Sequence, residues 1–265
     1  MDQISPDELR RRYDEFALTL DYKTTASDFQ LRELEIDMAS AYMADGMTIL
    51  DVGCGLGYAP VQYASRFAVK AHAIDYSANM IDGAVKLSSE TKTDIKGSIH
   101  FRQASVLDLP YEACTFDVVS SSRCLMALLE WPLQQDALRE IHRVLKPGGV
   151  LVLMEGTFEG LERLNRTRQT FGLEAIAADG RERLFTLKFN ESGLLDFCRP
   201  LYQHEKTQRF GMYYFLTRIV QPLLVAPDKP SYSHKLNQVA REIARIIPDF
   251  DGLGHLVAFV FSKRR

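Results

Sequence analysis

From residue 48 onward the chain alternates short apolar runs with longer stretches whose apolar residues recur every three or four positions. The short runs lie at 48–52, 71–74, 99–102, 116–120 and 150–155, and each reads as a strand. Between them, 59–67, 79–87 and 133–145 carry the helical period. In the last of these Leu133, Ala137, Leu138, Ile141, Val144 and Leu145 share one face, and Lys146-Pro147-Gly148-Gly149 ends it. Strand and helix in alternation predict an α/β fold, doubly wound, with a mostly parallel sheet covered by helices on both faces.

The flanks follow other patterns. Ser5-Pro6-Asp7-Glu8 is a helix start, with Ser5 as cap, Pro6 in the first turn and Glu8 completing a capping box. The helical pattern breaks near 19–27 and resumes to about Ala44. Past Glu155 the regularity fades. Helical character is expected at 158–178 and 192–197, and strand at 204–211. Residues 212–225 are apolar and aromatic, punctuated by Pro222 and Pro227. An amphipathic helix at 236–247 and a strand at 256–261 close the chain. The expected organisation is an N-terminal helical cap (1–46), a core (47–211 and 253–265) and a C-terminal lid-like insertion (212–252), which could equally be a scaffold extension.

The chain has 265 residues, 46% of them hydrophobic and 25% charged, enough for one domain and an added subdomain. The net charge is −3, and a basic run such as the terminal Lys263-Arg264-Arg265 is too short to make a basic surface. That balance argues against nucleic acid or an anionic membrane as partner. The first residues lack a basic region followed by an apolar run, and no apolar stretch approaches membrane length. The cysteines Cys54, Cys114, Cys124 and Cys198 form no CxxC pair, and no His or acidic cluster has metal-ligand spacing. A cytoplasmic protein with reduced thiols and no metal is expected.

The chemistry concentrates in "ILDVGCGLGYAP", residues 49–60. A strand runs into Asp51 and then a turn with Gly53, Gly55 and Gly57, ahead of a helix. Glycines there let a ligand approach the backbone, and the helix N-terminus adds free N–H groups. The spacing is GxGxG rather than the GxGxxG that a dinucleotide pyrophosphate requires. Asp51 before the turn suits a ligand carrying an amino group. The next strand ends at Asp75, whose carboxylate can accept both hydroxyls of a ribose. Tyr76 and Met80 follow and can sandwich an adenine, though Met80 would serve as well in the core.

"ILDVGCGLG", "AIDYS", "FDVVSSS" and "REIHRVLKPGGVLVLME" resemble, in order, the successive motifs of class I S-adenosylmethionine-dependent methyltransferases of the small-molecule branch. The resemblance covers about 48–155. It implies a Rossmann-like seven-stranded sheet, six strands parallel and the last, at 256–261, antiparallel. It implies S-adenosylmethionine as cofactor, with Asp51, Gly53, Cys54 and Gly55 around its methionine end and Asp75 on its ribose. In "ASVLDLP" it places Ser105 and the Val106 N–H at the adenine, and it sets Ser121, at the end of the fourth strand, beside the methyl group.

Methyl transfer by in-line displacement needs alignment and a dry pocket more than added chemistry. Tyr13 and Tyr22 in the N-terminal helices and Tyr213 and Tyr214 in the insertion are candidates to line the acceptor pocket, as against ordinary packing. Arg123 could meet an anionic group on the acceptor or hold a surface helix. Met126 and Ala127 stand where many relatives carry histidines, which leaves His204 and His255 as the bases to test. The expected function is methyl transfer to a small-molecule acceptor, apolar or aromatic with an anionic group, at oxygen. The alternatives are an NAD(P)-dependent oxidoreductase and a non-catalytic S-adenosylmethionine-binding protein. Because the sheet faces are already assigned to the repeating helices, the apolar insertion should cover the ligand cleft or a homodimer interface.

Overall fold

Each β-strand of the alternating region is short, apolar and closed by a turn, so the strands stack into one sheet. The computed structural model describes residues 5–23, 27–177 and 185–264. Its strands are β1 (Thr48–Val52), β2 (Lys70–Asp75), β3 (Ser98–Gln103), β4 (Phe116–Ser122), β5 (Leu145–Gly156), β6 (Tyr202–Arg209) and β7 (Leu256–Lys263). They lie in the order β3-β2-β1-β4-β5-β7-β6. β1 pairs in parallel with both β2 and β4, and β7 runs antiparallel to β5 and β6. The strand order reverses at the β1/β4 boundary, which opens a crevice at their carboxyl ends. The antiparallel β7 between β5 and β6 separates this sheet from a dinucleotide fold of order 3-2-1-4-5-6.

The expected helices form with small shifts at their ends. They are α1 (Pro6–Ala17), α2 (Phe29–Ser40), α3 (Tyr58–Arg66), α4 (Ala78–Glu90), α5 (Trp131–Val144), α6 (Phe158–Thr170) and α7 (Glu191–Cys198). At α1 the Ser5 Oγ accepts the Glu8 N–H at 3.2 Å and Glu8 Oε2 accepts the Ser5 N–H at 2.9 Å, a complete capping box. α6 stops at Thr170, short of the expected 178. Residues 171–177 are irregular and Ala178 lies outside the described residues. Met1–Ile4 and part of the 19–27 break also lie outside them.

The segment between β6 and β7 departs from expectation. α8 (Gly211–Phe215) continues through a π-turn (Leu216–Val220) into α9 (Gln221–Val225), and α10 (Lys235–Ile246) follows. Pro222 does not break the run. Its missing N–H is accommodated at the wide turn, and the Arg218 carbonyl accepts instead from the Arg168 guanidinium. The segment packs onto a face of the sheet. Tyr213, Tyr214, Ile219, Ala240 and Ala244 join Val152, Met154, Ala258 and Val260 in one core cluster. The repeating helices cover the β1–β3 end of this face and leave the β5/β7 end bare, and the segment fills it. On the opposite face α5 and α7 pack over Leu151, Leu153, Phe259 and Phe261.

Candidate active site

The turn after β1 is built on left-handed backbone: Gly53 has φ +74° and Gly55 φ +53°. A Cβ on Gly53 would stand 2.6 Å from both Cβ and Sγ of Cys124, so only glycine lets the two walls of the crevice meet. Gly55 donates its N–H to Asp75 Oδ2 at 2.9 Å, and Asp75 Oδ1 accepts the Ser77 N–H at 2.9 Å. Each oxygen keeps a further lone pair for a ligand. Burial pushes the Asp75 carboxyl up despite these N–H donors.

Beneath the turn lies a cavity of about 360 Å³. Of the expected cofactor residues it gathers Asp51, Gly53, Gly55, Asp75, Tyr76, Met80, Ser105 and Val106. Burial drives the Asp51 carboxyl up to about 7, against Arg32 and a hydrogen bond with Ser120 and with a smaller push from Asp75. Three expected cofactor residues do not line the cavity. Cys54 turns into a small cluster with Ala73, Ile81 and Phe101. Gly57 caps α3 against Phe101 and Ala84. Ser121 is fully buried in β4 with its Oγ unpartnered.

The acceptor side is rearranged. Tyr13 lines the cavity, with burial pushing its phenol up to about 12. Arg123 lines it too, at φ +54°, but its Nη2 already pairs with Glu35 at 2.8 Å, so its charge is met within the chain. Tyr22 packs 5.0 Å from the Tyr58 ring, outside the cavity, and its carbonyl accepts from Arg32. Tyr213 and Tyr214 are fully buried in the core, because the segment they belong to covers the sheet. The Tyr213 hydroxyl donates to Asp28 Oδ1 at 2.5 Å and the Tyr214 hydroxyl accepts the Leu256 N–H at 3.4 Å. Neither histidine lines the cavity. His204 sits on edge strand β6, its Nε2 2.9 Å from Thr207 Oγ1. His255 packs against Tyr214, and burial, with nearby cations, pushes its pKa down to about 3.

Two cavity residues carry no motif in the sequence, and two buried acids outside the cavity hold its walls in place. Arg32 and Glu35 lie on α2, three residues apart on one face, and both line the cavity. Glu155, the last residue of "RVLKPGGVLVLME", is fully buried. It accepts the N–H groups of Cys124 (3.2 Å), Leu125 (2.8 Å) and Met126 (3.2 Å), fixing the turn that brings Cys124 and Ala127 to the cavity wall. Asp28 caps α2 and also binds Tyr213 and Arg218, so the segment before β7 anchors the helix that presents Arg32 and Glu35. Among the described residues no group of three His, Cys, Asp or Glu side chains could hold a metal.

Residues 49–149 match the family model for a methyltransferase domain. The chain is 31% identical over 139 residues to a ubiquinone/menaquinone biosynthesis C-methyltransferase of Vibrio cholerae, covering 51% of each chain. It is 28% identical over 188 residues to a demethylmenaquinone methyltransferase of Lactiplantibacillus plantarum, covering 69% of this chain and 72% of that one. The chain thus spans about half the length of the Vibrio relative. The fold matches a Haloferax volcanii methyltransferase solved with its Trm112 activator, with TM-score 0.64 and 17% identity over 96% of this chain and 98% of that one. Over residues 49–149 the chain is similar to methyltransferase domains, for which the sequence motifs imply S-adenosylmethionine as cofactor. The residues present fit that cofactor: Asp75, held by the Gly55 N–H, keeps acceptor capacity on a cavity that Gly53, Gly55 and Asp51 also line.

Proposed function

We propose that the protein transfers a methyl group from S-adenosylmethionine to a small, largely apolar acceptor, with oxygen as the reacting atom. The observation that carries this reading is the hydrogen bond from Gly55 to Asp75, which ties the glycine turn of β1 to the carboxylate of β2 at the mouth of one cavity. Asp75 would hold the ribose, Tyr76 and Met80 the adenine together with the 105–106 backbone, and Asp51 and Arg32 the charged methionine end. When bound, the cofactor supplies the methyl group and its own leaving group. The chain's contribution is then alignment and exclusion of water, by Tyr13 of α1 above and Ile36, Leu128, Leu133 and Met154 around the cavity. The apolar walls support an apolar acceptor.

Carbon is a second reading, because the Vibrio relative is named a C-methyltransferase. In either case α1 and α2 close the cofactor end, and 212–252 supports α2 rather than acting as a lid. No helix among the described residues is long and apolar enough to cross a membrane. The proposed setting is the cytoplasm. The test is incubation with methyl-labelled S-adenosylmethionine and a panel of apolar phenols, hydroquinones and amines. Label in a methyl ether supports the reading, and label on carbon in a product that keeps its hydroxyl supports the second one. Tight cofactor binding with no label in any acceptor favours a binding protein instead.

A further inference from the structure

We propose that Glu35 is the polar anchor of the acceptor subsite, receiving a hydrogen bond from a neutral hydroxyl on an otherwise apolar molecule. This rests on the methyltransferase reading above. Glu35 is 2% exposed and lines the cavity. Its Oε2 accepts from Ser122 Oγ and from Arg123 Nη2, each at 2.8 Å. Its Oε1 is buried and has no hydrogen-bond partner. Buried carboxylate oxygens are ordinarily satisfied, so this one is complete only with a donor that a ligand brings.

Three features define that ligand. First, Arg123 is already paired with Glu35, and Arg32, the other guanidinium near Glu35 on this cavity, is given to the methionine carboxylate of the bound cofactor, so no unmatched positive charge is left for an anion there. A second negative charge beside Glu35 would be repelled strongly in a cavity of low dielectric. Second, Glu35 is tied to the end of β4 through Ser122 and Arg123, whereas Asp51 and the glycine turn close β1 and serve the cofactor. Third, the adjoining wall is apolar. Ile36 follows Glu35 on α2, and Met154 pairs with Ser122 across the sheet while its carbonyl accepts the Arg123 N–H at 2.8 Å. A hydroxyl on an apolar body meets all three conditions, whereas a carboxylate on the same body fails the first and has no proton to donate to Oε1.

The test is calorimetric titration of the protein saturated with S-adenosylhomocysteine, using 4-propylphenol and 4-propylbenzoate as matched probes. The wild type should bind the phenol and reject the benzoate. Glu35→Gln removes the charge and leaves Arg123 unmatched. Phenol binding should weaken about tenfold and benzoate binding should strengthen about tenfold. Glu35→Asp keeps the charge and should still reject the benzoate, which separates the charge argument from any general damage to the fold. S-adenosylhomocysteine affinity should change less than about twofold in both variants. Benzoate binding by the wild type overturns the proposal, as does failure to bind the phenol while S-adenosylhomocysteine binds. A tenfold loss of S-adenosylhomocysteine affinity in Glu35→Gln, with phenol binding intact, assigns Glu35 to the cofactor and also overturns it. A wild type that does not bind S-adenosylhomocysteine at all overturns the methyltransferase reading itself, and this proposal with it.

Discussion

Asp51 shows how position decides the behaviour of a single residue. It is the penultimate residue of an apolar strand and is buried where it lines the cavity, so desolvation drives its carboxyl up to about 7, where an exposed aspartate would ionise near 4. A cationic amino group in the cavity would favour the ionised form and lower that value on binding. The sign follows. Above pH 7 Asp51 is already ionised in the free protein and affinity is flat. Below pH 7 binding must first release a proton, so affinity falls, by up to about tenfold per pH unit. Titrations with S-adenosylhomocysteine at pH 6 and pH 8, in buffers of different ionisation enthalpy, should show weaker binding and proton release at the lower pH. Asp51→Asn should abolish both effects. Equal affinity at the two pH values, with no proton release, would separate Asp51 from the ligand's charge.

The working element is the turn between β1 and α3. It has three supports: left-handed glycines, the bond from Gly55 to Asp75, and the facing turn at 124–126 that Glu155 holds by three N–H groups. Gly53→Ala should strain the backbone by about 1–2 kcal/mol and drive a methyl group into Cys124 besides. A lowered melting temperature and a large loss of S-adenosylhomocysteine affinity are expected together. A variant that melts and binds like the wild type would mean the two turns are not in contact. This element was legible in the sequence because strand, glycines and acidic residue occur within a few positions. Its counterpart was not. Glu155 closes a motif, but it lies about thirty residues from the amides it binds, and nothing local tells that it holds them. Glu35 and Arg32 were missed for the same reason: α2 has a weakly patterned sequence, and only the tertiary contacts with β4 and with the 211–246 segment show which of its faces meets the cavity.

Across the whole molecule the alternation of strand and helix predicted the sheet from β1 to β5, and the resemblance supplied the antiparallel last strand. What neither gave was the destination of the apolar segment before β7. The expectation of a lid assumed that both sheet faces were already covered. The antiparallel β6–β7 pair needs no crossover helix, so part of one face is free, and Tyr213, Tyr214 and Ile219 occupy it. Amide exchange across 212–220 should therefore be slow without any ligand and at every protein concentration. Protection that appears only with cofactor and acceptor would restore the lid. The central claim is that Asp75 and the glycine turn form one cofactor site, and calorimetry of S-adenosylhomocysteine against wild type and Asp75→Ala tests it most directly. The wild type should bind one equivalent, and the variant should lose about 2–4 kcal/mol through an unmet pair of ribose hydroxyls and a freed turn. Equal binding by the two proteins would contradict it.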